Sequence, residues 1–350
     1  MLPATPLAAA LDAWAGSPDS TVEQVATASA VGALASACVR LSHLVADQPL
    51  SAPTHHDVAT NASGDDQKPL DVLAEQELVA ALTGGSVLAL CSEESEEAIN
   101  LNASGSVVVA IDPIDGSSNI DINGPTGTLF SILPVGPHRE DPTQALLQPG
   151  TEQIAAGFVL YGPSTVMALT WGDGTDIYAL DVTTGEFLLT HRRIELPSEA
   201  REYAINASNA RHWNAGVRAY VEDLVNGSIG PRGQDFNMRW LAALVAEAYR
   251  ILLRGGIFLY PGDARPGYAD GRLRLVYEAN PIAFLCEQAG GDATNGVERI
   301  LDITPTSLHQ RTPLVFGSRV KVERVRRYLI DPPTAHEESP LFGQRGLFRT

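Results

Sequence analysis

The sequence predicts a layered α/β protein of two domains, and three observations carry that prediction. Val107-Val108-Val109-Ala110-Ile111 is an unbroken, largely β-branched apolar run, as expected of a strand buried on both faces. Stretches with apolar residues at helical spacing alternate with such strands, without the regular period of a barrel. The chain has 350 residues, 44% of them apolar, enough for one large or two medium cores.

In chain order, residues 21 to 46 place Val22, Val25, Ala26, Leu34, Cys38 and Leu41 at helical spacing behind Thr21, a predicted N-cap. Residues 47 to 64 are polar with scattered proline and read as a loop. A second helix is expected to start near Lys68-Pro69, since proline is tolerated in a first turn, and to end at Gly84-Gly85. It places Asp71 in its first turn. Strands are predicted at 86–91, 106–112, 127–133, 154–160, 165–170 and 177–181, with a surface loop at 137–150. A second section begins near Ser198. It carries expected helices at 212–225, 237–253, 281–288 and 320–329, and strands at 257–260 and 273–277. The predicted division is therefore 1–197, 198–332 and a tail at 333–350.

Charge and cysteine content narrow the function classes. A formal net charge of −18 argues against nucleic acid or an anionic membrane as a partner, because both require a basic footprint. No apolar run is expected to span a bilayer, and no basic leader opens the chain, so a cytoplasmic location is expected. The three cysteines, Cys38, Cys91 and Cys286, lie far apart in apolar surroundings. They read as reduced core residues rather than a disulfide or zinc framework.

The chemistry centres on Asp112-Pro113-Ile114-Asp115-Gly116-Ser117-Ser118-Asn119, which follows the buried strand directly. Two aspartates three residues apart, with Pro113 stiffening the link, can aim both carboxylates and the Ile114 carbonyl at one hard cation. Gly116-Ser117-Ser118 offers consecutive N–H groups and two hydroxyls to phosphate oxygens. The same composition serves an ordinary tight turn, so the motif gains weight only from partners elsewhere. An EF-hand calcium loop is excluded, because its ligand, glycine and glutamate positions are not met from Asp112 or Asp115.

Those partners are Glu93 and Glu94 after the preceding strand, Asp65 and Asp71 from the loop and helix before it, and Glu278 at a later junction. Each alone has an ordinary reading as a solvated acid or a helix-dipole complement. Together, five or six carboxylates cannot converge without repulsion and desolvation protonating some of them. Two or three divalent cations resolve that conflict, and a phosphate cradle beside them suits metal-assisted phosphoester hydrolysis. A carboxylate not committed to metal can take a proton from the attacking water.

Residues 61–71, Ser92-Glu93-Glu94, 112–121, Leu147-Gln148-Pro149-Gly150, Gly256-Ile257-Phe258-Leu259-Tyr260-Pro261, 273–281 and 302–318 together resemble class I fructose-1,6-bisphosphatase. The resemblance implies a sugar-phosphatase fold, a layered α-β-α-β-α sandwich, with a regulatory-type N-terminal half, a catalytic C-terminal half and a homotetramer. It implies Mg²⁺, or Mn²⁺ in its place, held by Glu93, Asp112, Asp115, Glu278 and the Ile114 carbonyl, with Asp65 near a further ion. Asp71 and Glu94 are implied to orient and deprotonate water, while Asp115, Gly116, Ser117 and Ser118 hold the phosphate that leaves. Asn206 and Tyr260 are implied to grip the distal phosphate of a sugar bisphosphate, Arg239 to reach it from a neighbouring subunit, and Arg272 to replace a sugar-binding lysine.

Several positions depart from the pattern. Asn209 and Trp240 stand where many relatives carry phosphate-binding tyrosines, so their donors occupy different positions. The runs around Asn206 and Arg239 resemble the Calvin-cycle branch of bacterial enzymes, some of which also accept sedoheptulose 1,7-bisphosphate. The AMP-site turn is not found, and Ser106-Val107 stands in place of a Lys-Tyr pair, which predicts weak or absent AMP inhibition. Residues 137–150 hold no cysteine for thioredoxin control. The rival readings are an inositol-monophosphatase-like enzyme, which shares the Asp-Pro-Ile-Asp-Gly core, and a catalytically silent sensor of metal and sugar phosphate. Arg239 and the 256–261 segment favour the bisphosphatase over the first; the intact Asp71, Glu94 and Glu278 count against the second.

Overall fold

A reciprocal capping box opens the long N-terminal helix. The Gln24 N–H donates to the Thr21 hydroxyl at 3.2 Å, and the Thr21 N–H donates to Gln24 Oε1 at 2.9 Å. The structure, a computed structural model, describes residues 5–51, 59–60 and 66–331. Asp65 and the tail at 333–350 lie outside the described residues.

Helices α1 (Leu7–Ala15), α2 (Val22–Ser51) and α3 (Pro69–Leu82) form the first layer. They pack Leu11, Leu34, Leu41 and Leu78 against Leu90, Val109 and Ile132 of the first sheet. That sheet contains β1 (Val87–Ser92), β2 (Ile99–Asn100), β3 (Val107–Asp115), β4 (Thr126–Pro134), β5 (Ala155–Tyr161), β6 (Thr165–Thr170), β7 (Thr175–Asp181) and β8 (Glu186–His191). Its spatial order is β8-β7-β6-β5-β4-β3-β1-β2. Neighbours are antiparallel except β1 and β3, which run parallel. Between β4 and β5 lies the short helix α4 (Pro142–Leu146), so the stretch expected to be a plain surface loop carries a helical turn. The Asp141 carboxylate caps it.

The opposite face of the first sheet, through Leu129, Phe158 and Val166, packs on two further helices and on a second sheet. The second sheet holds β9 (Glu202–Ile205), β10 (Asn237–Met238), β11 (Ile257–Tyr260), β12 (Asp292–Thr294) and β13 (Leu314–Gly317), in the order β10-β9-β11-β13-β12. The intervening helices are α6 (Leu244–Arg254) and α7 (Asn280–Gln288). The outermost layer consists of α5 (Ala215–Asn226) and α8 (Arg319–Ile330), with Val217, Tyr220, Leu224, Val322 and Val325 against Ile205, Leu259 and Val315. The layers run α-β-α-β-α, as expected.

Three local expectations need correction. The helix expected over 237–253 starts at Leu244; its first residues are instead an edge strand, because the N–H groups of Asn237 and Arg239 bond to β9 and its flank. The strand expected over 273–277 stops at Arg274, and Leu275–Ala279 forms a π-helical turn leading into α7. Apolar residues on both faces of a fully buried segment do not separate a strand from a buried helix. Finally, residues 22–47 are long and apolar enough to cross a bilayer by length and composition. Their apolar side instead covers the first sheet, as in a core helix. Cys38, Cys91 and Cys286 are buried free thiols, and burial pushes Cys38 and Cys91 up to about 11 and Cys286 up to about 12.

Candidate active site

Strands β1 and β3 are parallel neighbours, so the acidic residues at their carboxyl ends emerge on the same edge. The Glu93 N–H donates to the Ile111 carbonyl at 3.0 Å, which fastens the Glu93-Glu94 pair beside the end of β3. Between Asp112 and Asp115, three steps of β3 match two of β4, a one-residue bulge around Pro113. The Thr128 hydroxyl donates to the Pro113 carbonyl freed there, at 2.8 Å. The bulge re-aims Asp112 and Asp115 from strand alternation into one corner.

Gly116 follows with φ at +73°, and a Cβ there would stand 2.7 Å from Cβ of Ala243. Only glycine fits both the left-handed backbone and the contact. The chain then winds into a short 3₁₀ turn, Ser117–Ile122, in which the Asn119 N–H closes on the Gly116 carbonyl at 2.8 Å and the Ser117 and Ser118 N–H groups precede that first bond. Lys68 braces the turn through Nζ, donating to the Ser117 carbonyl at 2.9 Å and to Asp121 at 2.7 Å. Asn119 ties it to the start of α6, donating to the carbonyls of Pro125 and Leu241.

Asp115, Asp112 and Glu278 are buried, and each offers an oxygen such that all three lie within 4.8 Å of one another. Asp115 accepts the Val245 N–H of α6 at 2.8 Å, at the positive end of that helix. Glu278 stands on the π-helical turn and accepts the Arg274 N–H at 2.5 Å. Burial raises all three carboxyls above their ordinary range, Asp115 to about 6. The charges of Glu93, Asp115 and Glu278 add to the rise at Asp112, and those of Glu93 and Asp115 to that at Glu278. Arg274, itself buried, approaches Glu93 at 3.7 Å. One guanidinium does not balance four carboxylates. An all-oxygen donor set with excess negative charge fits a hard divalent cation.

Asp71 sits at the start of α3, where Oδ2 accepts the Lys68 N–H at 2.7 Å while buried Oδ1 has no hydrogen-bond partner among the described residues. Burial first, then the Glu94 charge, pushes Asp71 up to about 7. This is a carboxyl poised to exchange a proton near neutrality.

The cluster borders a cleft of about 640 Å³. Of the residues expected in the site, Glu93, Asp115, Gly116, Ser117, Ser118, Asn206, Tyr260, Arg272 and Glu278 line it. Asp112 and Asp71 lie behind that wall. Arg239 does not line its own cleft; it is half-exposed and 3.7 Å from Glu202. Trp240 both packs and lines, stacking on Phe258 and Tyr260 at ring-centre distances of 6.0 and 6.1 Å. Asn206 caps the turn at Ala207–His212 through its side chain, and Asn209, in that turn, lines a small recess that Arg272 also lines.

Sequence reasoning missed Arg274, Lys68, Asn119 and the pair Arg265 and Tyr268. The Tyr268 ring centre lies 4.0 Å from the Arg265 guanidinium and 5.1 Å from that of Arg272, and its hydroxyl accepts from Arg272 at 2.9 Å. A buried arginine inside an apolar run, Leu273-Arg274-Leu275-Val276, was the available signal for Arg274.

Two sheets between three helical layers, with an acidic cluster and a glycine turn at one strand edge, define a phosphatase-type hydrolase site that uses divalent metal. Comparison with known proteins agrees. The family model described as "Fructose-1-6-bisphosphatase, N-terminal domain" matches residues 29–192, and that described as "Fructose-1-6-bisphosphatase, C-terminal domain" matches 196–330. A "Fructose-1,6-bisphosphatase class 1" of Azorhizobium caulinodans is 54% identical over 92% of this chain and 98% of its own length. One of Sinorhizobium medicae is 55% identical over 83% of each. The holo-form fructose-1,6-bisphosphatase of Leishmania major superposes with a TM-score of 0.85 at 32% identity, over 93% of this chain and 98% of that one. The chain belongs to the class 1 fructose-1,6-bisphosphatase family and is a phosphatase of fructose 1,6-bisphosphate. Membership decides against both the inositol-phosphatase and the silent-sensor readings.

Proposed function

We propose that the enzyme is Mg²⁺-dependent and removes the 1-phosphate of fructose 1,6-bisphosphate, leaving fructose 6-phosphate. The observation that carries this reading is the meeting of Asp112, Asp115 and Glu278 within 4.8 Å, beside the Gly116 turn, with Asp115 and Glu278 lining the cleft. Glu93, Asp112, Asp115, Glu278 and the Ile114 carbonyl would hold two or three Mg²⁺ per subunit, with Mn²⁺ as a substitute, and Asp65 near a further ion. Bound there, the cations would polarise the phosphoryl and leaving oxygens and acidify a water.

The chain's own groups do the rest. Backbone N–H groups and hydroxyls of Gly116, Ser117 and Ser118 receive the phosphate that leaves. Asp71 and Glu94 orient the attacking water, and Asp71 Oδ1 accepts its proton, which its elevated affinity for protons favours. Asn206, Tyr260 and Arg272 hold the far end of the sugar bisphosphate, with Arg239 supplied by a neighbouring subunit of a homotetramer; the outward placement of Arg239 supports a role across an interface. The division into a regulatory-type half at 1–197 and a catalytic half at 198–332 belongs to the same reading. So do a cytoplasmic location and a place in gluconeogenesis or the Calvin cycle.

Asn209 and Trp240, in place of two tyrosines, leave the distal end of the cleft differently furnished, which supports acceptance of sedoheptulose 1,7-bisphosphate as a second substrate. The deciding experiment is phosphate release from fructose, sedoheptulose and inositol phosphates during Mg²⁺ titration, with Asp115→Asn as control. Release from both ketose bisphosphates only, saturating with Mg²⁺ and lost in the control, is expected. Full activity in the control would remove Asp115 from the metal site.

A further inference from the structure

A second cleft, of about 410 Å³, lies between α8 and the segment 231–236, and shares no lining residue with the active-site cleft. Arg232, Arg324 and Arg327 line it with Pro231, Gln234 and Tyr328. Lys321 stands behind them, buried, its ammonium 5.0 Å from the centre of the Phe236 ring. Arg232 lies over the same ring at 5.0 Å and over Tyr220 at 5.8 Å. We infer that this cleft is a binding site for a small, multiply charged anion bearing phosphoryl or carboxylate groups.

The charge arrangement argues for an occupant. The chain carries 42 acidic against 24 basic residues, yet four cations converge here with no ion pair among the described residues. Of the neighbouring acids, Asp223 accepts the Tyr328 hydroxyl, and the Glu199 charge, which bears on Lys321, is outweighed there by burial and by Arg232 and Arg324. Burial, then the charges of Arg232 and Arg324, push Lys321 down to about 8, the mark of cations crowding one another. Arg232 Nη1 is buried with no hydrogen-bond partner among the described residues. A buried donor of that kind is costly to leave unmade.

The donor chemistry selects the ligand class. Arg324 and Arg327 are three apart on α8 and project from one face, and guanidinium forks match the paired oxygens of phosphate or carboxylate. Gln234 adds neutral donors from the opposite wall. A monovalent anion would leave most of the positive charge uncompensated.

The test is calorimetric titration with inorganic pyrophosphate, in chelator, of the full chain and of the double variant Arg324→Ala with Arg327→Ala. Wild type should show a binding class that the double variant weakens by at least about tenfold, the scale of one lost charge-assisted contact. Its kcat and KM for fructose 1,6-bisphosphate should not move. Arg327→Glu, at an exposed position, should repeat the loss with an unchanged circular dichroism spectrum. An isotherm in the double variant identical to wild type overturns the inference. So does loss of binding together with a smaller sedimenting mass, which would make the cluster a subunit contact.

Discussion

Replacing Asp115 by Asn should stabilise the metal-free protein and abolish its stabilisation by metal. Burial raises the Asp115 carboxyl from 3.8 to about 6 in the folded state. Between those two values the folded chain binds more protons than the unfolded one, so stability falls as pH rises through that window. Above it the full penalty persists, and a shift of about 2 pKa units corresponds to about 3 kcal/mol. The asparagine amide carries no charge, and its oxygen can still accept the Val245 N–H that Asp115 accepts at 2.8 Å. In chelator, urea unfolding should therefore show the variant gaining on wild type from pH 4 upward, by about 3 kcal/mol at pH 8. Divalent cation at about 1,000 times its Kd should reverse the order, because at that excess it stabilises wild type by about 4.1 kcal/mol. The reasoning fails if the variant is no more stable than wild type in chelator at pH 8, or if both gain equally from metal.

Four further outcomes follow from the sequence and the geometry. Gly116→Ala should cost about 1–2 kcal/mol from the left-handed backbone alone. Its Cβ should also displace Ala243 and raise KM; an unchanged urea midpoint and KM would show that the turn tolerates a side chain. Asp71→Asn and Glu94→Gln should each bind substrate yet turn over at least about a hundredfold slower. In wild type, kcat/KM should rise as Asp71 ionises, on a limb at pH 7 or below once cations occupy the neighbouring carboxylates; the limb should vanish in Asp71→Asn. AMP should inhibit weakly, since Ser106, whose backbone bonds to Ser86 and Val135, offers no cation to a phosphate; half-inhibition at micromolar AMP would contradict this.

Much of the site was legible because its parts are local. The turn after β3 states its own chemistry in consecutive residues: acids spaced to share a cation, a glycine for a left-handed bend, and hydroxyls beyond it. The layered fold was likewise readable, because a strand buried on both faces must be covered twice. Glu93 and Glu94 could be placed beside it, since parallel strands bring their carboxyl ends together. The failures were of a different kind. A buried apolar run does not reveal whether it continues as strand or winds into a helix, so the turn that presents Glu278 was misjudged. The start of α6 was placed too early, because the pairing of 237–238 with β9 depends on a partner more than thirty residues away.

The amino-acid order by itself determined which groups are available: the carboxylates, the glycine hinge, the apolar faces that sort helices from strands. Tertiary structure alone decided how far apart they stand. The bulge at Pro113 comes from register against β4, and the demand for glycine at 116 comes from Ala243 packed against it. The elevated proton affinity of Asp71, Asp112 and Glu278 comes from the layers that exclude water around them. Local composition sets chemistry, whereas distance and dielectric belong to packing between segments remote in the chain.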